Sequence, residues 1–380
     1  MSKKIFFIKT ILWLIFFTLF IAAGYGVFFA WRINEIEKQI DVDRDTNTSI
    51  LDTFKGLASR EEINLKGIGD GRINILLLGV AGDGKPGKFL TDTIILASIN
   101  TKTKQVALLS IPRDLYVSVP DENLSAKINT VYQYGLGKYE GDEAKAILPV
   151  QKTIEDITSL RIHYWTVLDF DGFRKAIDAI GGVNITNERD IYDPRYPGPN
   201  YSYEIFELKK GLHHLNGDTA LKYARMRHND PEGDFGRAKR QQQVLQATKN
   251  KIFSTGTLLN VVALNDLFNI LGNNIKTNID SGEFGNMLRL IKELDTNNIA
   301  NVVLDAWNPE SLLKVSHVFF GDLRSFILIP RVGNWNEIRW RNHTPFRMTP
   351  TQQGLKTGNL VSLQIDERLI MELELTVGES

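Results

Sequence analysis

The chain has 380 residues, with 45 basic and 45 acidic side chains, a formal net charge of zero and no cysteine. The absence of cysteine excludes disulfides, thiolate nucleophiles and cysteine-ligated metal ions. The balanced charge gives no bulk electrostatic attraction to a polyanion, so we expect no nucleic-acid partner.

An uncharged, largely apolar run at residues 10–31 follows three lysines near the N-terminus. About 20 such residues suffice to cross a bilayer as a helix, and this run is slightly longer. A cleavable signal peptide is the alternative, although its apolar core is typically only about 7–15 residues long. Because lysines favour the cytoplasmic side, residues 1–9 are predicted to be cytoplasmic and everything after Arg32 to lie outside. The sequence thus predicts a single-pass protein of the cell membrane, held in the lipid bilayer.

Beyond this segment, the sequence predicts a stalk, one large domain and a tail. The predicted boundaries are 32–72 for the stalk, 73–256 for the core of the domain, 257–345 for the helices and strands that complete it, and 346–380 for the tail.

Apolar runs near the start of the domain predict buried strands. INILLLG begins at Ile73, TIILASI at Thr93 and QVALLSI at Gln105. Continuous runs of this kind are typical of strands that are buried on both faces. A turn-like NTKTK segment joins the second and third strands.

Helical and strand patterns alternate after these runs. A helix is predicted at 171–180, with apolar residues at the spacing of a buried stripe and a glycine at its end. The Pro- and Gly-rich segment 187–203 is predicted to be a long loop. The other predicted elements are helices at 145–160 (interrupted at Pro149), 216–225, 234–256, 258–271 and 283–294, strands at 164–170, 183–186, 299–304 and 325–329, and a candidate edge strand in LIMELELTV near the C-terminus.

Segment 223–242 is the most informative part of the chain. It carries four arginines within sixteen residues: Arg225, Arg227, Arg237 and Arg240. Arginine binds phosphate oxygens in pairs, and a helix N-terminus supplies unsatisfied N–H groups to the same anion. Asp234 is a candidate N-cap of the helix that follows, and Arg237, Arg240 and Gln241 share one face of it.

Cations in a first helical turn have the wrong sign for the helix dipole, which favours a bound anion at that end. The alternative is a solvated basic face whose arginines pair with Asp230, Glu232 or Asp234. The helix by itself does not decide between the two interpretations.

Two other segments could contribute to the same site. Arg113 follows Pro112 at the exit of a buried strand, and Asp92 lies between threonines just before another. Asp92 is a candidate ligand for a hard cation such as Mg²⁺, and Asp83 in a Gly-rich loop is a second carboxylate. Taken singly, each residue is better explained by an ordinary structural role.

Two other patterns carry no function. GVAGDGKP at 79–86 matches the start of a phosphate-binding loop, but Pro86 replaces the Ser or Thr that would bind magnesium, and a strand follows where a helix is required. The six histidines are scattered without metal-ligand spacing.

The chain resembles the LytR-CpsA-Psr family in a series of segments that occur in the family's order and cover roughly residues 73–256. They are INILLLG, LTDTIILASIN, ALLSIPRDLYV, KIN, DFDGFRKAIDAIGGV, GLHHLNGDTALKYARMRH and DFGRAKRQQQVLQA. The resemblance implies an α/β fold with a mixed central sheet flanked by helices and an apolar cavity for a polyprenyl tail.

It also implies an activity. Family members transfer a glycopolymer, such as teichoic acid or capsular polysaccharide, from a polyprenyl-pyrophosphate carrier to peptidoglycan. The resemblance implies a Mg²⁺- or Mn²⁺-assisted phosphotransfer, with pyrophosphatase side activity when water replaces the acceptor hydroxyl. A non-catalytic pyrophosphate-lipid binder or regulatory envelope protein is the main alternative, and a structural envelope protein is another.

The resemblance also implies roles for residues. The pyrophosphate ligands would be Arg113, Lys127, Arg225, Arg227, Arg237, Arg240 and Gln241. Asp234 would activate the acceptor hydroxyl, acting in catalysis with Arg113 and Arg237. The metal ligands would be Asp92 and Asp83.

The sequence departs from the family pattern at two positions. Many members carry an aspartate where this chain has Ala81, and an arginine where it has Leu90. Asp83 and Lys88, in the altered loop, are candidate substitutes.

Overall fold

The computed structural model describes residues 64–198, 202–227, 229–254, 272, 274–306 and 310–343. They all belong to one unit by their contacts. The predicted membrane segment, most of the stalk, the helix at 258–271 and LIMELELTV lie outside these residues. Among the helices that are described, none has both the length and the apolar character needed to cross a membrane.

A six-stranded sheet forms the centre of the fold. Its strands are β1 (Arg72–Val80), β2 (Thr91–Asn100), β3 (Gln105–Ser110), β6 (Tyr164–Asp169), β11 (Ile275–Thr277) and β12 (Asp295–Val303). Their order across the sheet is β11–β6–β1–β2–β3–β12. The pairs β1–β6 and β3–β12 are parallel, and the other neighbours are antiparallel. The sheet is therefore mixed, which confirms the predicted fold class.

The apolar runs explain why the sheet is buried on both faces. Side chains alternate across a strand, so a continuous apolar run supplies both faces at once. In β2, Ile94 and Leu96 pack into one core cluster, whereas Ile95 and Ile99 pack into the cluster on the opposite face. The strands predicted from INILLLG, TIILASI and QVALLSI are thus confirmed.

Helices cover both faces of the sheet. They are α1 (Val131–Lys138), α2 (Glu143–Thr158), α3 (Phe170–Ala179), α4 (Gly217–Arg225), α5 (Gly233–Ser254), α6 (Ser281–Glu293) and α7 (Asn336–His343). Ile147 and Ile154 of α2 pack into one core, and Leu290 of α6 packs into the other.

Helix α2 is continuous through Pro149, so the predicted interruption there is wrong. The helix retains its buried face, which includes Ile147, Val150 and Ile154, and the hydroxyl of Thr153 donates to the Pro149 carbonyl at 2.7 Å. Packing of this face outweighs the loss of one helical hydrogen bond.

The remaining strands form two-stranded pairs. They are β4 (Tyr116–Val119) with β5 (Leu124–Lys127), β7 (Val183–Asn187) with β10 (Gly211–Leu215), β8 (Ile191–Pro197) with β9 (Tyr203–Leu208), and β13 (Leu313–Phe320) with β14 (Leu323–Pro330). The four strands β7, β8, β9 and β10 enclose a separate apolar core with α3, α4 and α5.

Strand β8 contradicts the long loop predicted at 187–203. Its Ile191, Asp193 and Tyr196 are buried, and its two prolines are tolerated because each strand of a two-stranded pair has a free edge. The proline content concealed this strand in the sequence.

Helices α1 and α2 approach so closely that a Cβ atom on Gly135 would lie 2.1 Å from the carbonyl oxygen of Ala146. We expect Gly135→Ala to lower the free energy of unfolding by about 1–3 kcal/mol, because the helices must separate. Gly137→Ala in the same helix is the matched control, since its Cβ meets nothing within 4 Å. Urea unfolding of both variants checks this, and equal stabilities would contradict the close packing.

Candidate active site

The candidate site lies at one edge of the central sheet. Asp92 is the second residue of β2, and Arg113 follows the end of β3. Because β2 runs antiparallel to β3, the beginning of the one lies beside the end of the other. The N-terminus of α5 reaches the same edge, since Nη2 of Arg237 donates to the main-chain carbonyl of Asp92 at 3.0 Å. The fold thus brings together the three segments that the sequence analysis selected.

Two arginines and two carboxylates alternate within this site. Arg113 Nη1 donates to Asp92 Oδ1 at 2.6 Å, and Arg113 Nε lies 3.7 Å from Asp234 Oδ1. Arg237 Nη2 donates to Asp234 Oδ2 at 2.8 Å. Asp234 is therefore shared between the two guanidinium groups, and it fixes their relative positions.

Among the described residues, three buried polar atoms of this group have no hydrogen-bond partner: Arg113 Nε, Arg237 Nε and Asp234 Oδ1. Leaving such an atom unsatisfied costs roughly 1–3 kcal/mol, and more when the group is charged. All three residues line one small cavity that opens to solvent. Two of the three atoms are guanidinium donors, so the arginines beside this cavity have hydrogen-bonding capacity that the described residues do not use.

The electrostatic environment differs between the two arginines. Burial lowers the pKa of Arg237, an effect that Asp234 opposes and the neighbouring charge of Arg113 reinforces. Burial also acts to lower the pKa of Arg113, but the charges of Asp92, Asp234 and Asp114 together raise it overall. Both groups remain protonated, as arginine does in proteins. The charge of Arg237 is thus less fully offset by neighbouring carboxylates than that of Arg113, so a bound anion would stabilise Arg237 more.

Asp234 is not the N-cap of α5, contrary to prediction. The helix begins at Gly233, so Asp234 lies within its first turn and its carboxylate binds Arg237. Its other oxygen accepts no hydrogen bond, so the carboxylate caps none of the free amides of the first turn.

Arg240 lies in the protein interior and not at the cavity, although the resemblance implied a pyrophosphate ligand. Its Nη1 donates to Asp230 Oδ2 at 2.5 Å, its Nε donates to the carbonyl of Tyr223 at 2.9 Å, and its Nη2 donates to the carbonyl of Met226. The Asp230 side chain is fully buried and also binds Arg189. Every nitrogen of the Arg240 guanidinium thus has a partner in the protein, so its role is to hold α4 to α5.

The other predicted pyrophosphate ligands surround the cavity at different distances. Gln241 lines it, and its side-chain amide donates to the carbonyl of Ala224 at 3.4 Å. Lys127 Nζ donates to Asp114 Oδ1 at 2.7 Å, beside Arg113. Arg227 is exposed, and its charge contributes to lowering the pKa of Arg237.

Arg225 has an unusual environment at the end of α4. Its guanidinium carbon lies 4.2 Å from the centre of the Phe170 ring, and its Nη1 donates to the hydroxyl of Tyr196 at 3.2 Å. Aromatic groups, and not a carboxylate, hold this arginine in place.

The two predicted metal ligands differ in their placement. Asp92 lines the cavity, whereas Asp83 is 87% exposed and forms an ion pair with Lys88. Ala81 is buried against Phe170 and contributes no oxygen ligand. Within the described part of the chain, no group of three or more His, Cys, Asp or Glu side chains could hold a metal. Magnesium often binds through one carboxylate together with substrate phosphates, so Asp92 fits that arrangement and Asp83 does not.

Two further polar side chains shape the site. The sequence predicts Asp230 only as a partner for surface arginines, but its side chain is completely buried. Gln242 was missed altogether, because an isolated glutamine carries no signal in a sequence. Its Nε2 donates to Ser110 Oγ at 2.8 Å and to the carbonyl of Val302 at 3.2 Å, which anchors α5 across the ends of β3 and β12.

These features define an α/β protein with an arginine-lined cavity at the edge of a mixed sheet. The sequence profile of the LytR_cpsA_psr family matches residues 33–321. The chain therefore belongs to the LytR-CpsA-Psr family.

Individual relatives agree with this assignment. The chain is 34% identical over 254 residues to the "Polyisoprenyl-teichoic acid--peptidoglycan teichoic acid transferase TagU" of Oceanobacillus iheyensis, which covers 67% of this chain and 73% of that protein. It is 39% identical over 219 residues to "Regulatory protein MsrR" of Staphylococcus aureus, covering 57% of this chain and 59% of the relative. The crystal structure of B. subtilis TagV has a TM-score of 0.55 at 25% identity and covers 73% of this chain and 98% of that one.

We expect Asp230→Asn to lower the free energy of unfolding by about 3–5 kcal/mol, because it leaves the buried Arg240 without its counter-charge. Asp121→Asn is the control, since Asp121 and its partner Lys152 are both exposed and their pair contributes little. Thermal unfolding of the two variants measures the difference. Equal stability would contradict a structural role for the Arg240–Asp230 pair.

Proposed function

We propose that this protein is a phosphotransferase that moves a glycopolymer from a polyprenyl-pyrophosphate carrier to peptidoglycan at the outer face of the cell membrane. The observation that carries the proposal is that Arg113 and Arg237 both line one cavity, and that the buried Nε atom of each has no hydrogen-bond partner among the described residues. The name of the TagU relative, a transferase between polyisoprenyl-linked teichoic acid and peptidoglycan, supports the same reaction.

The two arginines would bind the pyrophosphate. Guanidinium groups match phosphate oxygens in pairs, and the desolvated Arg237 would gain most from their negative charge. As the bond between the sugar-linked phosphorus and the bridging oxygen breaks, charge develops on the departing polyprenyl phosphate. Fixed cations in a partly buried site stabilise that charge more than water does. Lys127, Arg225, Arg227 and Gln241 would extend the same anion site.

Asp234 would act as the general base. One of its carboxylate oxygens is held by Arg237, and the other is buried without a hydrogen-bond partner. The free oxygen would accept the proton of the acceptor sugar hydroxyl while the sugar oxygen forms its bond to phosphorus. With water in place of the sugar, the same steps would release a glycopolymer phosphate.

Asp92 is the residue that would hold a divalent cation such as Mg²⁺ or Mn²⁺. Such an ion, when bound, would polarise a phosphate oxygen as a Lewis acid. Asp92 Oδ1 also accepts a hydrogen bond from Arg113 Nη1, so the same carboxylate would serve both the cation and this arginine.

The apolar wall of the cavity suits the carrier. Ile94, Ile111, Phe235 and Val303 line the cavity together with the charged residues, and the first isoprene units would pack against them. The predicted anchor at 10–31, with a cytoplasmic N-terminus, would keep the site close to the bilayer in which the carrier is dissolved.

A non-catalytic, regulatory role is the second candidate. Ala81 favours it, because this buried apolar residue stands where many family members have a metal-binding aspartate. The name of the MsrR relative points the same way. Turnover separates the two roles, since a binding protein would retain affinity for the carrier without releasing phosphate from it.

We expect Arg237→Ala to reduce phosphate release from polyprenyl pyrophosphate by about 100-fold or more, the usual effect of removing one transition-state donor. Arg237→Lys keeps the charge but not the paired donors, and it should recover only part of the activity. Arg161→Ala is the control, because this arginine is 78% exposed. Undiminished release by Arg237→Ala, with all variants folded, would rule out the proposed site.

We expect Asp92→Asn to raise the Mg²⁺ concentration needed for half-maximal activity severalfold, because it removes the carboxylate at the cavity. Asp83→Asn should leave that concentration unchanged, because Asp83 is exposed and bound to Lys88. Magnesium titrations of both variants test this assignment. A larger effect from Asp83→Asn would contradict the assignment of Asp92 and would place the metal ligand in the Gly-rich loop.

A further inference from the structure

Arg225 is enclosed by two aromatic rings. Its guanidinium carbon lies 4.2 Å from the ring centre of Phe170 and 5.7 Å from that of Tyr196. The Tyr196 hydroxyl also accepts a hydrogen bond from Nη1 at 3.2 Å. A cation over an aromatic face is attracted by the ring quadrupole, and the attraction grows when the site is desolvated.

The two rings are themselves fixed by packing. Phe170, the first residue of α3, is buried in a small cluster with Ala81 and Leu221. Tyr196 of β8 is 3% exposed and packs against Phe206 with ring centres 5.7 Å apart. The rings belong to different elements and approach the same guanidinium, so they restrict its position more than either could alone.

This arrangement leaves the positive charge of Arg225 uncompensated. Among the described carboxylates, none lies within ion-pair distance of it, and the described residues accept a hydrogen bond from Nη1 only. Arg113 and Arg237, in contrast, are already bound to Asp92 and Asp234. A carboxylate partner would compete with an anionic ligand, whereas an aromatic ring orients the guanidinium without neutralising it.

The enclosed arginine belongs to the same edge of the sheet as the cavity. Phe170 follows Asp169, which pairs with Val80 at the end of β1. Val80 pairs in turn with Thr91, the neighbour of Asp92. The register of the sheet thus brings the Phe170 ring, and Arg225 above it, to the side of the site where Ala81 lies.

We propose that Phe170 and Tyr196 are positioning residues that hold the Arg225 guanidinium, fully charged, in the orientation that binds a pyrophosphate group. This inference rests on the proposed function, because it takes pyrophosphate as the ligand of the site. Removal of the Phe170 ring should therefore weaken pyrophosphate binding through Arg225.

The first test measures the enclosure itself, without any ligand. In the full-length protein, phenylglyoxal should modify Arg225 more slowly than the exposed Arg227, as followed by peptide mapping. Phe170→Leu should raise the rate at Arg225 severalfold without changing that at Arg227, and Phe170→Tyr should restore the slow rate. Phe173→Leu is the matched control, because Phe173 packs against the same cluster but not over a guanidinium. An unchanged Arg225 rate in Phe170→Leu would overturn the proposal.

The second test measures coupling, with inorganic pyrophosphate as the probe in calorimetric titrations. Phe170→Leu should weaken pyrophosphate binding about five- to tenfold, in the range that a cation–π contact supports. In an Arg225→Ala background, the same substitution should change the affinity less than about twofold, since the residue it acts through is gone. Tyr196→Phe, which keeps the ring and loses the hydroxyl, should have an intermediate effect. Equal losses in both backgrounds would show a merely structural role and overturn the proposal.

The outcomes also separate this proposal from the proposed function. If Arg113→Ala and Arg237→Ala weaken pyrophosphate binding but Arg225→Ala does not, the anion site stands and the positioning role is overturned. If none of the three arginine substitutions weakens binding, both the anion site and the positioning role fail. If Arg225→Ala and Phe170→Leu cause similar, non-additive losses, the positioning role is supported.

Discussion

The fully buried carboxylate of Asp230 is the constraint on which the rest of the site depends. It binds Arg240 of α5 and also Arg189, while Arg240 donates to main-chain carbonyls of Tyr223 and Met226 at the end of α4. A buried charge whose partner is removed is strongly unfavourable. The ion pairs of Asp230 with Arg240 and Arg189 are therefore expected to form cooperatively. Because it joins α4 to α5, it sets where Arg225 and Arg237 stand relative to each other.

The arginines of the site are prepared for an anion in two different ways. Arg113 and Arg237 are bound by carboxylates, which lower the free-energy cost of burying the guanidinium charge. The same carboxylates neutralise part of that charge, so less of it would act on a ligand. Arg225 is held by aromatic rings, which orient it and leave its charge intact. The three arginines thus differ in how much of their positive charge the surrounding side chains neutralise.

Ala81 connects the sequence departure with this arrangement. Where many family members carry an aspartate, this chain has a buried methyl group packed against Phe170 and Leu221. The apolar contact supports the ring over which Arg225 lies, so the substitution removes a carboxylate and stabilises an aromatic contact to a cation at the same edge.

Most of the fold and part of the site could be predicted from the sequence. Strands β1, β2 and β3 were identifiable because burial on both faces demands continuous apolar runs, and the arginine-rich segment was identifiable because phosphate binding favours that side chain. The β8–β9 pair was concealed by its prolines, which a free strand edge tolerates.

Only the tertiary structure decided which arginine does what. Asn229 and Gly233 adopt φ of 55° and 53°, and the turn between α4 and α5 that contains them leaves the Asp230 carboxylate bound to Arg240. Local sequence could not show this, because Arg237 and Arg240 lie three residues apart on one helix and their different partners come from other segments of the chain. The residue types were thus determined by the sequence, whereas their burial and partners depend on contacts between segments far apart in the chain.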